Sequence, residues 1–396
     1  MCVRLDAPQP VYTLPDLAIP DDAEDKPVVG VPVSACGALQ LPEVLFGAAA
    51  LSQIYNDDAH ISGFTPVRTV RLALRYGVNA FDTSPYYQES EIVLGTVLKA
   101  LAVDFPRSSY KLMTKCGRYG SRVADCDYSP ATIRASVQRS LSRLHTDYLD
   151  AVYLHDVEFV ATQVGPRVAG DPTLALTERK AEYGLVEGEE AKVWGAGDQQ
   201  ILDALAELRK MKDEGIVKSI GITGYPLPML LRLALLALHT PPYQPLDVLL
   251  SYSHLTLQTN AFEAFAPHFR ERARIPQLLT ASPLNMGLLT PTPPAWHPAP
   301  PELKAAAKTA VEQCTDWEGG LPNLAVGYGY RKAKKLGVPM VVGLSNHREV
   351  HENVQVWREI TEGKADQNRV AQEENISRMF GEHHGWSWAS PPSYLL

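Results

Sequence analysis

From Val44 onward the chain alternates between short apolar runs, rich in β-branched and aromatic residues, and longer stretches whose apolar positions recur three and four apart. The runs lie at 44–47, 79–82, 110–115, 148–155, 217–223, 247–252, 277–281 and 339–343. Between them, Ile201, Leu205, Leu208 and Met211 mark one helical face, and Ser129-Pro130 places an N-cap residue before a proline at the first helical position. Strand then helix, repeated eight times, implies parallel strands joined by helical crossovers. Eight units in about 320 residues fit a (β/α)8 TIM barrel better than an open doubly wound sheet. An open sheet would normally offer Gly-x-Gly-x-x-Gly after its first strand. The pair Gly327 and Gly329 lies inside a helical stretch and lacks the third glycine.

Three regions follow. Residues 1–40, rich in Pro and Val and without helical period, read as an N-terminal arm ending in a short hairpin. Residues 41–361 form the barrel, and 362–396 a C-terminal tail. Two interruptions break the barrel pattern. The segment 156–200 separates the fourth strand from its helix and holds nine acids and four bases. Loops this long in compact domains tend to be functional or disordered. It follows a strand, so it is expected on the C-terminal face, where barrel active sites sit. Residues 291–301 hold six prolines and read as a semi-rigid surface loop.

Composition narrows the function classes. The 396 residues carry a formal charge of −8 and no basic stripe, which argues against nucleic acid or an anionic membrane as partner. The longest apolar stretch, 227–238, contains Arg232 and is too short to cross a bilayer, so it reads as a buried helix. Five cysteines (2, 36, 116, 126 and 314) show no paired spacing, which suits reduced thiols. The opening Met1-Cys2-Val3-Arg4-Leu5-Asp6 has no apolar core of a secretory signal. A cytoplasmic protein is expected, with the Asn375-Ile376-Ser377 sequon idle. No metal-ligating set is read.

Candidate chemistry lies at successive strand ends. Asp82 closes the second run, with Tyr87 five residues on; Lys115 closes the third and His155 the fourth. Taken singly, each has a plain reading: a turn or cap aspartate, a solvated lysine, a structural histidine, a packing tyrosine. Together they deliver an acid, a cation, an imidazole and a phenol to one barrel mouth.

The stretch Gly77-Val78-Asn79-Ala80-Phe81-Asp82-Thr83-Ser84-Pro85-Tyr86-Tyr87, followed by Ser90-Glu91 and Leu94-Gly95, resembles the signature of the aldo-keto reductase superfamily. Thr114-Lys115-Cys116-Gly117 resembles its lysine motif, and Leu149-Asp150 through Leu154-His155 its histidine strand. The likeness continues through Gly221-Ile222-Thr223-Gly224-Tyr225, Ala281-Ser282-Pro283-Leu284-Asn285-Met286-Gly287-Leu288-Leu289 and Glu352-Asn353. Its wording is most similar to the L-galactose dehydrogenase and D-arabinose 1-dehydrogenase branch.

The resemblance implies a catalytic set of Tyr87, Lys115, Asp82 and His155. Tyr87 would be the general acid/base, and a nearby Lys115 cation would lower its pKa from about 10. Asp82 would hold Lys115, and His155 would orient the substrate oxygen. Cys116 would be buried filler on the opposite face of its strand. The resemblance also implies a nicotinamide cofactor site formed by Gly47, Ala48, Asp82, Thr223, Gly224, Ser251, Ser282, Leu284, Gly287, Gly343, Ser345, Glu349, Glu352 and Asn353. Within it, Thr223-Gly224 stands where the superfamily shows Ser-Asn, Ser251 where Gln is common, and Ala281 where many members stack an aromatic. Ser282, Leu284 and Gly287 would line the pyrophosphate groove. Gly343 and Glu349 stand where NADP-preferring members carry cations. NAD is therefore expected and NADP less so, although His347 and Arg348 lie close enough to meet a phosphate.

The expected function is oxidation of an aldose, of D-arabinose or L-galactose type, at C1 to the lactone with hydride transfer to NAD. The alternatives are a general aldehyde or ketone reductase, a pathway-specific member acting on a non-sugar, and a regulatory binding protein on the same barrel. The expected partner is a small sugar or aldehyde, and the expected state a monomer or homodimer.

Overall fold

Alternation along the strands sorts the apolar side chains into two layers. Leu45, Ala80, Met113, Ala151, Tyr153, Val248, Leu250, Leu279 and Val341 point inward and fill a barrel. Their neighbours Val44, Phe46, Phe81, Leu112, Cys116, Val152, Leu154, Ile222, Leu249 and Leu278 point outward beneath the helices. Burying each larger side chain contributes about 1.5–3 kcal/mol, and with both faces covered the strands carry no polar alternation. The computed structural model describes residues 9–167, 170–363 and 367–396. Cys2 and the opening Met1-to-Asp6 stretch lie outside the described residues.

The strands are β1 (Val44–Gly47), β2 (Ala80–Asp82), β3 (Lys111–Cys116), β4 (Ala151–Leu154), β5 (Ile220–Gly224), β6 (Val248–Tyr252), β7 (Gln277–Ala281) and β8 (Met340–Gly343). They pair in parallel and in order, and β8 closes the ring on β1 with Met340 opposite Val44. The protein is a (β/α)8 barrel. An antiparallel hairpin, Ala35–Cys36 with Leu41–Pro42, stoppers its N-terminal end. Leu41 enters the interior core, and the Leu39 N–H donates to Gln277 Oε1 at 3.0 Å.

Besides a short helical turn at Asp58–Ser62, the helices among the described residues are α1 (Thr65–Arg75), α2 (Ser90–Ala100), α3 (Pro130–Arg143), α4 (Ala196–Asp213), α5 (Leu227–His239), α6 (Ala261–Glu271), α7 (Pro301–Glu312), α8 (Gly320–Leu336), α9 (His347–Thr361) and α10 (Gln367–Met379). Ser129 occupies the N-cap position of α3, but its hydroxyl donates to Thr132 Oγ1 at 3.0 Å and accepts no backbone N–H of the first turn. α5 is buried from Leu227 through Leu238. Its Arg232 is matched by a two-pronged bond to Asp198, at 2.6 and 3.0 Å.

Asp198 lies at the end of the 156–200 segment, and that segment differs from the loop expected above the mouth. Its first turn, Val157–Phe159, does pack on β5. The chain then runs down the flank, where the turn Pro172–Leu176 packs on α5 and α6. Val157, Ala161, Ala175 and Leu185 belong to the main core. Buried apolar anchors and the Arg232 pair hold it as part of the barrel wall.

Candidate active site

The parallel register brings the ends of β2, β3 and β4 side by side, with Asp82 opposite Met113 and Lys115 opposite Tyr153. Lys115 Nζ donates to Asp82 Oδ2 at 2.5 Å and to the Thr83 carbonyl at 3.0 Å. Tyr87 ends a 3-10 turn, Pro85–Tyr87, capped by Ser84, whose hydroxyl accepts the Tyr86 N–H at 3.0 Å. The same hydroxyl lies 2.8 Å from His155 Nδ1, so one serine sets both the tyrosine turn and the imidazole. The His155 N–H donates to the Cys116 carbonyl at 2.9 Å, and its own carbonyl accepts the Tyr128 hydroxyl at 2.7 Å. Its ring stands edge-on to Tyr86 and Tyr87, each 5.6 Å away. All four residues of the expected catalytic set thus meet in one place.

Burial dominates their electrostatics. Desolvation pushes the Asp82 carboxyl up against the opposing pull of Lys115. Desolvation, with Lys115 and Arg118 nearby, holds His155 well below its usual range, so the imidazole is neutral at neutral pH. Tyr87 departs from expectation. Desolvation and then Asp82 and Asp156 push its hydroxyl well above 10, with Arg118 pulling the other way. The Lys115 charge is already matched by Asp82, and Nζ sits 4.7 Å from the centre of the Tyr87 ring. Tyr87 therefore holds its proton at neutral pH.

The expected cofactor positions divide into two groups. At the strand ends, Thr223 Oγ1, Ser251 Oγ and Asp82 Oδ1 are buried without a hydrogen-bond partner among the described residues. Gly343 faces open space, with nothing within 4 Å of an added Cβ. These hydroxyls and this room suit a polar, amide-bearing ligand laid across the mouth. Ser282, at φ 60, and Gly287, at φ 88, bracket a backbone that turns in the left-handed region. Leu284 is half-buried there, and a Cβ at Gly287 would strike Pro294 of the proline-rich loop.

The other group is bound up in the fold. A Cβ at Gly47 would lie 3.0 Å from the Val342 carbonyl, so close packing of β1 on β8 needs this glycine. The Ala48 carbonyl accepts the Ser90 hydroxyl at 2.6 Å. Ser345 is tied to the β1–α1 loop: its carbonyl is 2.7 Å from His60 Nε2 and its hydroxyl accepts Asn56 Nδ2 at 3.1 Å. Glu349 turns inward, accepting the Ser345 N–H at 2.7 Å and Asn346 Nδ2 at 3.0 Å. Asn353 joins the Glu349 carbonyl at 2.9 Å to the Tyr330 hydroxyl at 3.1 Å, and Glu352 pairs with Arg348 at 2.7 Å. His347, too, faces an acid, Glu24 of the arm, at 3.4 Å. Gly224 is filled from the side: a Cβ there would collide with Glu158 Oε2.

Residues 43–372 match the Aldo/keto reductase family. The chain is an aldo-keto reductase. It is 36% identical to the L-galactose dehydrogenase of Arabidopsis thaliana over 85% of this chain and 91% of that protein. It is 32% identical to the D-arabinose 1-dehydrogenase of Saccharomyces cerevisiae over 88% of this chain and 93% of that one. Among solved structures, an aldo-keto reductase from Bacillus halodurans in its holo form shares the fold with a TM-score of 0.56 at 20% identity, covering 88% of this chain and 96% of that one. The Bombyx mori aldo-keto reductase in complex with NADP has a TM-score of 0.54 at 15% identity, covering 88% and 94%. This aldo-keto reductase is thus an oxidoreductase of a family that uses nicotinamide cofactors. Among its described residues no helix is long and apolar enough to cross a membrane.

Several residues at the mouth escaped the reading of the sequence. Ser84 lay inside the recognised motif, and its place before Pro85 was the signal of a turn cap. Arg118 and Asp156 flank the lysine and histidine motifs. Glu158 sits two residues further on, and Ser390 in the tail gave no signal.

Proposed function

We propose that this aldo-keto reductase oxidises a neutral aldose at C1 to its lactone with NAD, D-arabinose or L-galactose being the favoured type. The observation that carries the reading is the joint placement of Tyr87 and His155 around one point, backed by the Lys115–Asp82 pair at 2.5 Å. The names of the two relatives supply the direction and the sugar class. Tyr87 and His155 bind the C1 hydroxyl, with His155 as the neutral orienting group and Tyr87 as the proton carrier. A bound nicotinamide supplies the hydride acceptor. Thr223 and Ser251, with their unpaired hydroxyls, would hold its amide.

The lean to NAD rests on the end of β8. Gly343 offers no cation there. Arg348 is bonded to Glu352 at 2.7 Å, and His347 lies 3.4 Å from Glu24. A 2′-phosphate, carrying close to two negative charges, would meet acids and few unmatched cations. Four described cysteines are free thiols, in keeping with a cytoplasmic site of action. A panel of aldoses with NAD, followed at the NADH absorbance band, tests the reading. Turnover of D-arabinose or L-galactose above the other sugars is expected. Reduction of simple aldehydes with no sugar oxidised would make the protein a general reductase instead.

A further inference from the structure

The wall beside His155 holds more charge than proton transfer requires. Arg118, Asp156 and Glu158 are each less than a tenth exposed. Arg118 donates to Asp156 Oδ2 through Nη1 and to the Gly120 carbonyl through Nε at 3.1 Å. Its guanidinium lies over the rings of Phe159 and Tyr86, at 3.9 and 4.2 Å. Asp156 adopts a left-handed backbone, φ 53, which sets its carboxylate 3.6 Å from His155 Nε2. Glu158 Oε1 accepts the Tyr225 N–H at 3.0 Å and the hydroxyl of Ser390, from the tail, at 2.7 Å. Nearby, Tyr225 stacks on Trp388 at 4.8 Å.

Each acid keeps one oxygen in reserve. Asp156 Oδ1 and Glu158 Oε2 are buried and have no hydrogen-bond partner among the described residues. A buried acceptor left without a donor is destabilising. Two such oxygens in one wall of a catalytic mouth call for a ligand that brings several donors. Neutral hydroxyl groups fit; a second anion would be repelled by Asp156. Burial and the Asp156 charge hold Glu158 well above the usual carboxylate range, so its carboxyl can also donate to a ring or hydroxyl oxygen.

We propose that Asp156 and Glu158, braced by Arg118 and Ser390, form the subsite that binds the hydroxyl groups of a polyhydroxylated substrate away from its reacting carbon. The subsite rests on the aldose reading above and adds what separates a sugar from a simple aldehyde. Glu158→Gln is the sharpest test. The amide oxygen can still accept from Tyr225 and Ser390, while the second oxygen, which can accept as well as donate, becomes an NH2 that only donates. Ser390→Ala is a second, milder variant that touches only the brace.

Steady-state constants would be measured for the best aldose with NAD, and for butanal with NADH, alongside protection of the protein by that sugar against thermal unfolding. For Glu158→Gln we expect the aldose KM to rise about tenfold with kcat within about twofold. Butanal reduction should be unchanged and sugar protection lost. Ser390→Ala should show the same pattern at about threefold. Unchanged aldose KM and protection in both variants overturns the subsite while leaving the aldose reading standing. Equal losses for aldose and butanal also overturn it, since the role would then be structural. A wild type that oxidises no aldose overturns the function, and the subsite with it.

Discussion

The two halves of the barrel mouth are built in opposite ways. At β2 to β4, charged groups are matched to one another in a tight mesh: Lys115 on Asp82, Arg118 on Asp156, Ser84 on His155. At β5 to β8, Thr223 and Ser251 end in hydroxyls with no partner, and Gly343 ends in open space. Fixed dipoles and charges cost no reorganisation when the reaction begins. A half that moves protons therefore gains from being complete in advance. A half that holds a ligand gains from donors and acceptors left for that ligand. The contrast assigns proton transfer to the first half and cofactor binding to the second, with the unpaired Asp156 Oδ1 and Glu158 Oε2 at the edge of the first half left for substrate hydroxyls, and each prediction below presses on that division.

The largest effect should come from the chemical half. Tyr87→Phe removes the proton carrier and leaves the ring that packs on His155. General acid–base catalysis is worth about 10²–10⁴-fold, so kcat should fall by that order while NAD binding, read by quenching of protein fluorescence, stays near wild type. Lys115→Met should be comparably damaging. A Tyr87→Phe enzyme that keeps more than about a tenth of kcat/KM, a loss under about 1.4 kcal/mol, would break the division outright. The pH profile carries a sign as well. Oxidation needs Tyr87 to accept a proton, yet burial holds its hydroxyl well above 10. Its oxyanion fraction rises with pH, so aldose oxidation should accelerate from pH 7 to 9, and a flat profile would remove Tyr87 from that step.

Much of this was legible in the sequence, and the limits have physical causes. Periodicity found every barrel strand, because a buried parallel strand is apolar on both faces. The 148–155 and 217–223 runs begin earlier than β4 and β5 do, since Leu149 and Val217 already pair in an isolated parallel bridge ahead of the two strands. The catalytic set was visible because strand ends converge whatever the loops do. Glu158 was not, because its meaning depends on Ser390, 232 positions away, and on the missing side chain at Gly224. Sequence spacing carries no record of such a meeting. The Tyr87 proton differs from the sequence expectation for a related reason: spacing brings Lys115 close but does not show that Asp82 already matches its charge.

A middling effect should appear in stability against pH. The native Glu158 carboxyl is held well above its ordinary range by burial and by Asp156. The unfolded chain releases that proton near pH 4.5, so above that point the native state binds more protons than the unfolded one. Stability from this group is full below pH 4.5 and is lost as pH rises through the native value. The slope is at most about 1.4 kcal/mol per pH unit for one proton. Urea unfolding of wild type and Glu158→Gln at pH 6 and 8 isolates it: the wild type should lose more stability across that interval. Equal losses would mean that Glu158 is ionised in the native wall.

The smallest effect belongs to the binding half, and there two neighbouring positions should behave differently. Gly343 faces open space and its backbone is not left-handed, so Gly343→Lys adds a cation without displacing anything. Glu349 is different. Its carboxylate receives the Ser345 N–H and Asn346 Nδ2, and Ser345 in turn holds Asn56 and His60 of the β1–α1 loop. Replacing Glu349 by Arg leaves those donors without their acceptor, at a cost of about 1–2 kcal/mol. Gly343→Lys alone should therefore improve NADP over NAD in kcat/KM by about fivefold, since a solvent-exposed charge pair yields about 1 kcal/mol. It should do so with an unchanged thermal midpoint and maximum velocity. Glu349→Arg should lower the thermal midpoint whatever it does to cofactor choice. Measured at low salt, where the pair is least screened, a Gly343→Lys enzyme with no gain for NADP would show that the 2′-phosphate does not reach the end of β8. A Glu349→Arg enzyme of wild-type stability would show that this acid is free for the ligand, and the binding half would then extend onto α9.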